Sequence, residues 1–234
     1  MKMTHNKMLM LSIISHAKLL PLAVFFAVLG FSIMSCDDHE VVDTSVHIGY
    51  ILCDDNSCMD SASYFAQDKR KAVGVVFFEK NDTLPAMAVM LNEKKGPFSD
   101  TIPYSFGTST DIEACVGRTN TVSLSTGGDD KGHGSPIGRE TLTSHVGGQS
   151  EYIPSVKEMR LLSKSARTIN PIIKRLGGTP VALSGDCWYW TSTEVDGNDN
   201  YQAWLCSAPN GSILEALKLK AYKVRTIIQI NYPE

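Results

Sequence analysis

The sequence lacks the short motifs that mark the common enzyme classes. It contains no G-x-S-x-G nucleophile elbow, no H-E-x-x-H zinc motif, no P-loop and no G-x-G-x-x-G dinucleotide fingerprint. It also has no pair of Cys and His clusters at zinc-ligand spacing. A catalytic site assembled from distant segments would leave no such motif, but these absences favour a protein that is not an enzyme.

Positive charge is scarce. The chain has 22 Lys and Arg against 25 Asp and Glu, a net charge of −3. Three of the lysines lie within residues 1–35, which hold no acidic residue, so the remainder carries 19 basic and 25 acidic side chains, or −6. Because nucleic acids are bound through a basic face, this balance argues against a nucleic-acid partner.

Only one long apolar run occurs, at residues 19–34, and it follows Lys2, Lys7 and Lys18. This order predicts a signal peptide over residues 1–35. Ile33-Met34-Ser35-Cys36 resembles a bacterial lipobox, which would make Cys36 the lipidated first residue of the mature chain, carrying acyl chains such as palmitate. A plain secretory signal with an incidental cysteine is the alternative.

The residues after Cys36 are acidic, Asp37-Asp-His-Glu40, and begin a short tether over residues 36–45. This tract resembles the export signal that sends lipoproteins to the cell surface in Bacteroidota. In enterobacteria, by contrast, an Asp in this position favours retention in the inner membrane. We expect a lipid-anchored protein of the outer membrane that faces the outside of the cell.

Five cysteines remain after Cys36, and export permits disulfide bonds. Cys53 and Cys58 flank a turn, and Cys187 and Cys206 flank a hairpin, so these are the two predicted pairs, with Cys115 left over. The alternative is that no disulfide forms.

The pattern of elements predicts a single α+β domain over residues 46–234. Capping boxes at Thr110/Glu113 and Ser155/Glu158 and a cap at Ser135 before Pro136 predict helix starts, and Asn170-Pro171 predicts another. A Gly- and Asp-rich surface loop is expected at 125–135. The first and last strands are expected to share a sheet. Strands are predicted at residues 46–52, 72–78, 87–91, 212–216 and 222–230, and helices at 111–116 and 136–146.

All three tryptophans lie in one predicted β-hairpin. Residues 187–194 form its first strand, 195–200 its turn and 201–206 its return strand. Alternation places Trp188 and Trp190 on one face and Tyr189 on the other, with one face expected to be core. We expect the tryptophans to serve mainly in packing and Arg225 to pair with Glu194.

Several segments then match a known family in order and spacing. These are Ile153-Pro-Ser-Val-Lys-Glu-Met-Arg160, Tyr189-Trp-Thr-Ser-Thr-Glu194, Ala203-Trp204, Gly211, Lys223 and Val224-Arg225. They resemble bacterial C-type-lectin-like domains found as domains of unknown function in Bacteroidota surface lipoproteins, and distantly the formylglycine-generating enzymes. The resemblance implies a C-type-lectin-like fold, with antiparallel sheets, short flanking helices and long loops.

The chain departs from the active relatives of that fold. It lacks the Glu-Pro-Asn and Trp-Asn-Asp motifs of calcium-dependent lectins, and Cys187 and Cys206 do not match the copper-binding cysteines of the formylglycine-generating enzymes. We therefore expect no cofactor. The oxygen-rich residues 196–200 leave calcium as an alternative, although Gly and Asn also simply form turns.

The most direct functional interpretation is a binding module that contacts a glycan, a host protein or an envelope partner. An enzyme acting on an envelope substrate, with His133 or His145 as a base, and a structural subunit of an envelope assembly are the alternatives. The expected contact residues lie at the hairpin turn: Asp196, Asn198, Asp199, Asn200, Tyr201 and Trp204.

Overall fold

The computed structural model describes residues 45–66 and 69–230. The predicted signal peptide, Cys36 and almost all of the acidic tether lie outside this range. From Ser45 onward the described residues form one compact unit. None of the helices in this part of the chain is long and apolar enough to cross a membrane.

The described residues of this unit form twelve strands and four helices. The strands are β1 Ile51–Cys53, β2 Cys58–Met59, β3 Ala72–Phe78, β4 Ala86–Met90, β5 Lys94–Pro97, β6 His145–Val146, β7 Gln149–Ser150, β8 Trp188–Glu194, β9 Gln202–Ser207, β10 Ile213–Leu217, β11 Ala221–Val224 and β12 Ile227–Ile230. The helices are α1 Ser61–Ala66, α2 Gly117–Thr126, α3 Pro136–Leu142 and α4 Val156–Arg175.

The strands form two five-stranded sheets and a small ribbon. Sheet 1 has the order β12-β4-β3-β1-β2, sheet 2 the order β10-β9-β8-β11-β5, and β6 pairs with β7. Every pairing is antiparallel except that of β8 with β11. The fold is thus α+β and dominated by antiparallel sheets, as predicted. The expected short helices are α1, α2 and α3, whereas α4 is longer, with 20 residues.

The first and last strands share sheet 1, as expected, but two predicted strands differ by more than a residue at an end. The first strand begins at Ile51 because residues 47–50 form a turn in which the amide of Tyr50 donates to the carbonyl of His47. The predicted strand 222–230 is two strands in different sheets. The chain changes sheet at Arg225 and Thr226. The Arg225 side chain donates to the carbonyl of Met90, the Thr226 hydroxyl donates to Glu151, and the carbonyl of Thr226 accepts from the amide of Met90.

The tryptophan hairpin is confirmed as β8 and β9, but both faces of β8 are buried. Trp190 packs with Phe98 and Leu205 in one cluster, whereas Tyr189 packs with Cys206 in another. The prediction of a single buried face is therefore wrong. This strand lies between two hydrophobic cores, which accounts for its aromatic content.

The caps of α3 and α4 form as predicted. Ser135 accepts a hydrogen bond from the amide of Gly138, and Ser155 and Glu158 make a reciprocal capping box. The helix begun at Ser155 continues through Pro171, so the predicted second helix start is wrong. The buried side of α4 packs against sheet 1, where it forms a hydrophobic core cluster with Val75 of β3.

The helix predicted from the Thr110/Glu113 box does not form there. The amide of Glu113 donates to the Asp111 carboxylate in a turn, and α2 begins at Gly117. The carboxylate of Glu113 instead pairs with Lys157 and Arg160 of α4, both at 2.6 Å. The surface loop expected at 125–135 follows α2 and begins at Gly127.

The two predicted disulfide bonds are absent, and strand register explains why. Leu52 lies opposite Cys58, so Cys53 and Cys58 point to opposite faces of their hairpin. Cys206 lies opposite Tyr189, which leaves Cys187 diagonal to it. Diagonal neighbours are about 7–8 Å apart, beyond the usual Cα separation in a disulfide.

Candidate functional site

The turn between β8 and β9 is held by its own backbone. The amide of Asn198 donates to the carbonyl of Val195 at 3.0 Å, and the amides of Tyr201 and Gln202 donate to the carbonyl of Asn198 at 3.0 and 2.9 Å. Gly197 has a φ of +68°, a backbone conformation that residues with a Cβ rarely adopt. The turn is therefore an ordered platform at the end of sheet 2.

A buried carboxylate anchors the loop beside this turn. Glu194, at the end of β8, is fully buried. It accepts hydrogen bonds from the amides of Phe106 and Thr108 at 2.9 and 3.0 Å and from the Thr108 hydroxyl at 3.0 Å. These contacts fix the segment around residues 106–108 against the hairpin.

The ammonium group of Lys218 completes the anchor. Lys218 is fully buried and donates to the carboxylate of Glu194, to the carbonyl of Asp199 and, at 2.8 Å, to the carbonyl of Tyr104. Its nitrogen also lies 5.1 Å from the centre of the Phe106 ring. Burial lowers the pKa of Lys218, and the hydrogen bond to Glu194 opposes that effect. We call Lys218 and Glu194 with these partners the buried clamp.

The buried clamp replaces the expected pairing of Arg225 with Glu194, which is wrong. Arg225 pairs with Glu93 at 3.2 Å and donates to the carbonyls of Leu91 and Thr179. It thereby holds the segment after α4 against β4. The Arg225 side chain therefore has a structural role away from the turn between β8 and β9.

The six predicted contact residues do not all offer free side chains. Asn198 donates its amide to the side chain of Gln202, and the carbonyl of Asp199 accepts from Lys218. Asp196 accepts weakly from the Thr110 hydroxyl at 3.5 Å and is exposed, as are Asn200 and Tyr201. The sixth residue, Trp204, is half-buried in β9.

Exposed apolar side chains border the turn; Tyr201 was among the predicted contact residues, whereas Leu217 and Leu219 were not. Tyr201 is 44% exposed, Leu217 44% and Leu219 48%. Leu217 lies opposite Gln202, and Glu215 lies opposite Trp204, so β10 continues this surface beside β9. The run Leu217-Lys-Leu219 at a strand end was the available signal. We call the surface formed by residues 196–201 with Trp204, Leu217 and Leu219 the hairpin surface.

Neither histidine proposed as a base has the full set of catalytic partners among the hydrogen bonds of the described residues. The exposed ring of His133 binds the Asp129 carboxylate at 2.8 Å. His145 contacts the Ser150 hydroxyl at 3.2 Å and the carbonyl of Thr143 at 3.0 Å. His133 therefore has a carboxylate partner and His145 a hydroxyl partner, but neither ring has both. The expectation of no enzymatic activity is not tested by these contacts and stays a prediction.

His145 lines a cleft with a volume of about 390 Å³ between the end of sheet 1 and the β6–β7 ribbon. Lys94 crosses the cleft region to Ser144 at 3.3 Å and to Glu140 at 3.4 Å. Thr226 donates to Glu151 at 2.7 Å. The polar groups of this cleft are thus largely committed to one another.

The oxygen-rich turn does not gain a set of acidic metal ligands from the fold. In the described part of the chain, no three His, Cys, Asp or Glu side chains gather as they would around a metal ion. The calcium alternative and the expectation of no cofactor both stay predictions.

Comparison with known proteins adds one likeness. No family model and no curated protein matches the chain. The crystal structure of a fimbrial protein from Bacteroides ovatus is similar, with a TM-score of 0.55 and 15% sequence identity. The match covers 78% of this chain and 48% of that one, so this chain spans about half the length of its neighbour. At this identity the likeness shows a shared fold alone.

Proposed function

We propose that this protein is a lipid-anchored binding module of the outer cell surface, and that the hairpin surface contacts a glycan. The observation that carries the proposal is the exposed ring of Tyr201 in the polar turn, which the half-buried Trp204 follows in β9. Aromatic rings with polar neighbours suit sugars, because one face of a sugar is apolar and its edge forms hydrogen bonds.

The buried clamp supports this proposal. Lys218 and Glu194 tie the turn at Asp199 to the segment at Tyr104 and Thr108 beneath it. A preformed surface loses less conformational entropy on binding than a mobile loop does. The C-type-lectin-like resemblance of β8 and the capping-box helix points to the same class of function.

A glycan array tests the proposal, using the full chain in a non-ionic detergent with and without calcium. We expect binding to a defined group of glycans that falls about tenfold or more in Tyr201→Ala and Trp204→Ala. Leu214→Ala is the matched control, because Leu214 is exposed on the same strand as Leu217 but alternates to the opposite face. An array without any bound glycan would defeat the proposal.

A structural subunit of a surface assembly is the second candidate, and the likeness to a fimbrial protein favours it. Cross-linking on intact cells followed by affinity purification of the full chain checks this role. Stable recovery of further copies or of one partner protein in fixed ratio would support assembly. In that case the hairpin surface would be a contact between subunits, and its variants would lose partner recovery.

The anchor is tested separately. We propose that Cys36 carries the lipid, so metabolic labelling with a palmitate analogue is expected to mark the wild-type chain and not Cys36→Ala. Equal labelling of the two would refute the anchor. Protease digestion of intact cells then tests whether the domain lies outside the cell.

A further inference from the structure

The outward side of α4 carries an unusual concentration of positive charge. Over its 20 residues the helix has one acidic residue, Glu158, which is buried in the capping box. At 100° per residue the basic side chains fall within an arc of about 100°, opposite the buried side. We call them the basic face of α4: Lys157, Arg160, Lys164, Arg167, Lys174 and Arg175.

Little of this charge is neutralised by the protein. Lys157 and Arg160 share one carboxylate, that of Glu113. The guanidinium of Arg175 lies 3.6 Å from the centre of the Phe65 ring. Among the described residues, Lys164, Arg167 and Lys174 make no ion pair within 4.0 Å. The chain as a whole is negative, so attraction of an anion requires such a local patch.

A shallow groove lies between two of these cations. It is lined by three polar residues, Arg167, Asn170 and Lys174, and by three apolar ones, Pro171, Pro180 and Leu183. The side chain of Asn170 fixes its far wall by exchanging two hydrogen bonds with the backbone of Val181, at 2.8 and 2.9 Å. The groove therefore combines apolar side chains with two cations, Arg167 and Lys174, seven residues apart on α4.

We propose that the basic face of α4 binds a linear glycan that carries carboxylate or sulfate groups. The cations from Lys157 to Lys174 follow one line about 25 Å long, which suits an extended polymer. Arg and Lys pair with the acidic groups, and the prolines and Leu183 provide an apolar surface for a sugar ring. This site lies on a different element from the hairpin surface and does not depend on it.

Fluorescence anisotropy with a labelled heparin oligosaccharide tests the site on the full chain in non-ionic detergent. We expect saturable binding that weakens as salt increases, because the contacts are exposed charges. A polygalacturonate oligosaccharide, which carries carboxylates alone, is expected to bind as well, and an uncharged dextran of similar length is not. Equal binding of dextran would overturn the proposal.

Charge reversal locates the site. Lys164→Glu/Arg167→Glu/Lys174→Glu is expected to weaken heparin binding about tenfold or more, since each reversal removes an attraction and adds a repulsion. The control Lys80→Glu/Arg118→Glu/Lys131→Glu makes the same charge change at exposed positions elsewhere. It is expected to stay within about twofold of wild type. An equal loss in the control would show attraction by overall charge and refute a site on α4.

A second variant guards against misfolding. Lys164→Gln/Arg167→Gln/Lys174→Gln removes charge but keeps residues that favour helices, and its thermal midpoint is expected to match wild type. It should still lose most heparin binding. Vesicles containing phosphatidylglycerol are the competing target. If they bind through α4 and the oligosaccharides do not, the partner is a membrane and the glycan proposal is wrong.

Discussion

Lys218 and Glu194 form an ion pair in which both side chains are fully buried. The pair joins the end of β8 to the turn after β10, and the same ammonium group reaches the carbonyls of Tyr104 and Asp199. A buried pair is costly to desolvate, and it persists when further hydrogen bonds satisfy both groups. Here five other donors and acceptors do so, and together they fix the base of the hairpin surface.

Removal of one partner should therefore destabilise the protein strongly. In Lys218→Met the carboxylate of Glu194 stays buried without its cation, and we expect the free energy of unfolding to fall by about 3–5 kcal/mol. Urea unfolding followed by tryptophan fluorescence measures the loss. Lys220→Met, at an exposed neighbouring position, is the control and should change stability by less than about 0.5 kcal/mol. Similar midpoints for the two variants would contradict the clamp.

The cap of α4 gives a smaller effect. Ser155 accepts from the amide of Glu158 and donates to the carbonyl of Ala114 at 2.8 Å. Ser155→Ala removes both contacts, so we expect a loss of about 1–2 kcal/mol in the free energy of unfolding. Thr168→Ala, on the exposed side of the same helix, serves as the comparison. If Ser155→Ala were as stable as Thr168→Ala, the capping box would have no energetic role.

Stability should fall in alkaline solution. Burial raises the pKa of the Cys206 thiol to about 12 and that of Tyr189 to about 12. The unfolded chain releases these protons at lower pH, so above about pH 9 it binds fewer protons than the native state and is favoured as the pH rises. The contribution is fully present below the unfolded pKa values and is lost towards pH 12.

Chemical unfolding at a series of pH values from 8 to 11 measures this slope. Each pKa unit of difference corresponds to about 1.4 kcal/mol at full titration. Cys206→Ala removes the thiol, so its free energy of unfolding should fall less steeply above pH 9 than that of the wild type. Parallel curves for the two proteins would rule out Cys206 as a source of the alkaline loss.

The strand register predicts that an oxidising medium does not join Cys187 to Cys206. Peptide mapping of the protein without reductant is expected to recover the two cysteines on separate peptides, and dithiothreitol should leave the thermal midpoint unchanged. A cross-linked peptide in good yield would mean that β8 and β9 pair differently from the register Tyr189 with Cys206.

Local chemistry explains which elements the sequence could predict. Ser155 and Glu158 cap α4 with groups only three residues apart, and Ser135 caps α3 through the amide of Gly138, also three residues later. Both helix starts could therefore be predicted from the sequence. The start of α2 has no such cap. The amide of Gly117 donates to the carboxylate of Glu158, 41 residues later, at 3.1 Å, and no local pattern records that contact. The pattern at Thr110 and Glu113 therefore predicted a helix at residues 111–116 that does not form, and α2 begins at Gly117 instead.

The same distinction applies to the candidate site. The turn at residues 195–200 was predictable because Gly, Asn and Asp cluster there between two strands. The buried clamp could not be predicted in this way. Glu194 ends β8 and Lys218 follows β10, and these two segments approach each other only in the folded sheet, on either side of β9. Arg225 was assigned to the wrong carboxylate for that reason: Glu93, 132 residues away, lies nearer to it in the fold.

The change of sheet at Arg225 has a consequence for biogenesis. Strand β11 is inserted between β8 and β5, and β12 closes one edge of sheet 1, yet both follow every other strand in the chain. Neither sheet is complete while a growing polypeptide lacks residues 221–230. The final packing of both sheets therefore depends on the last two strands of the described chain, β11 and β12.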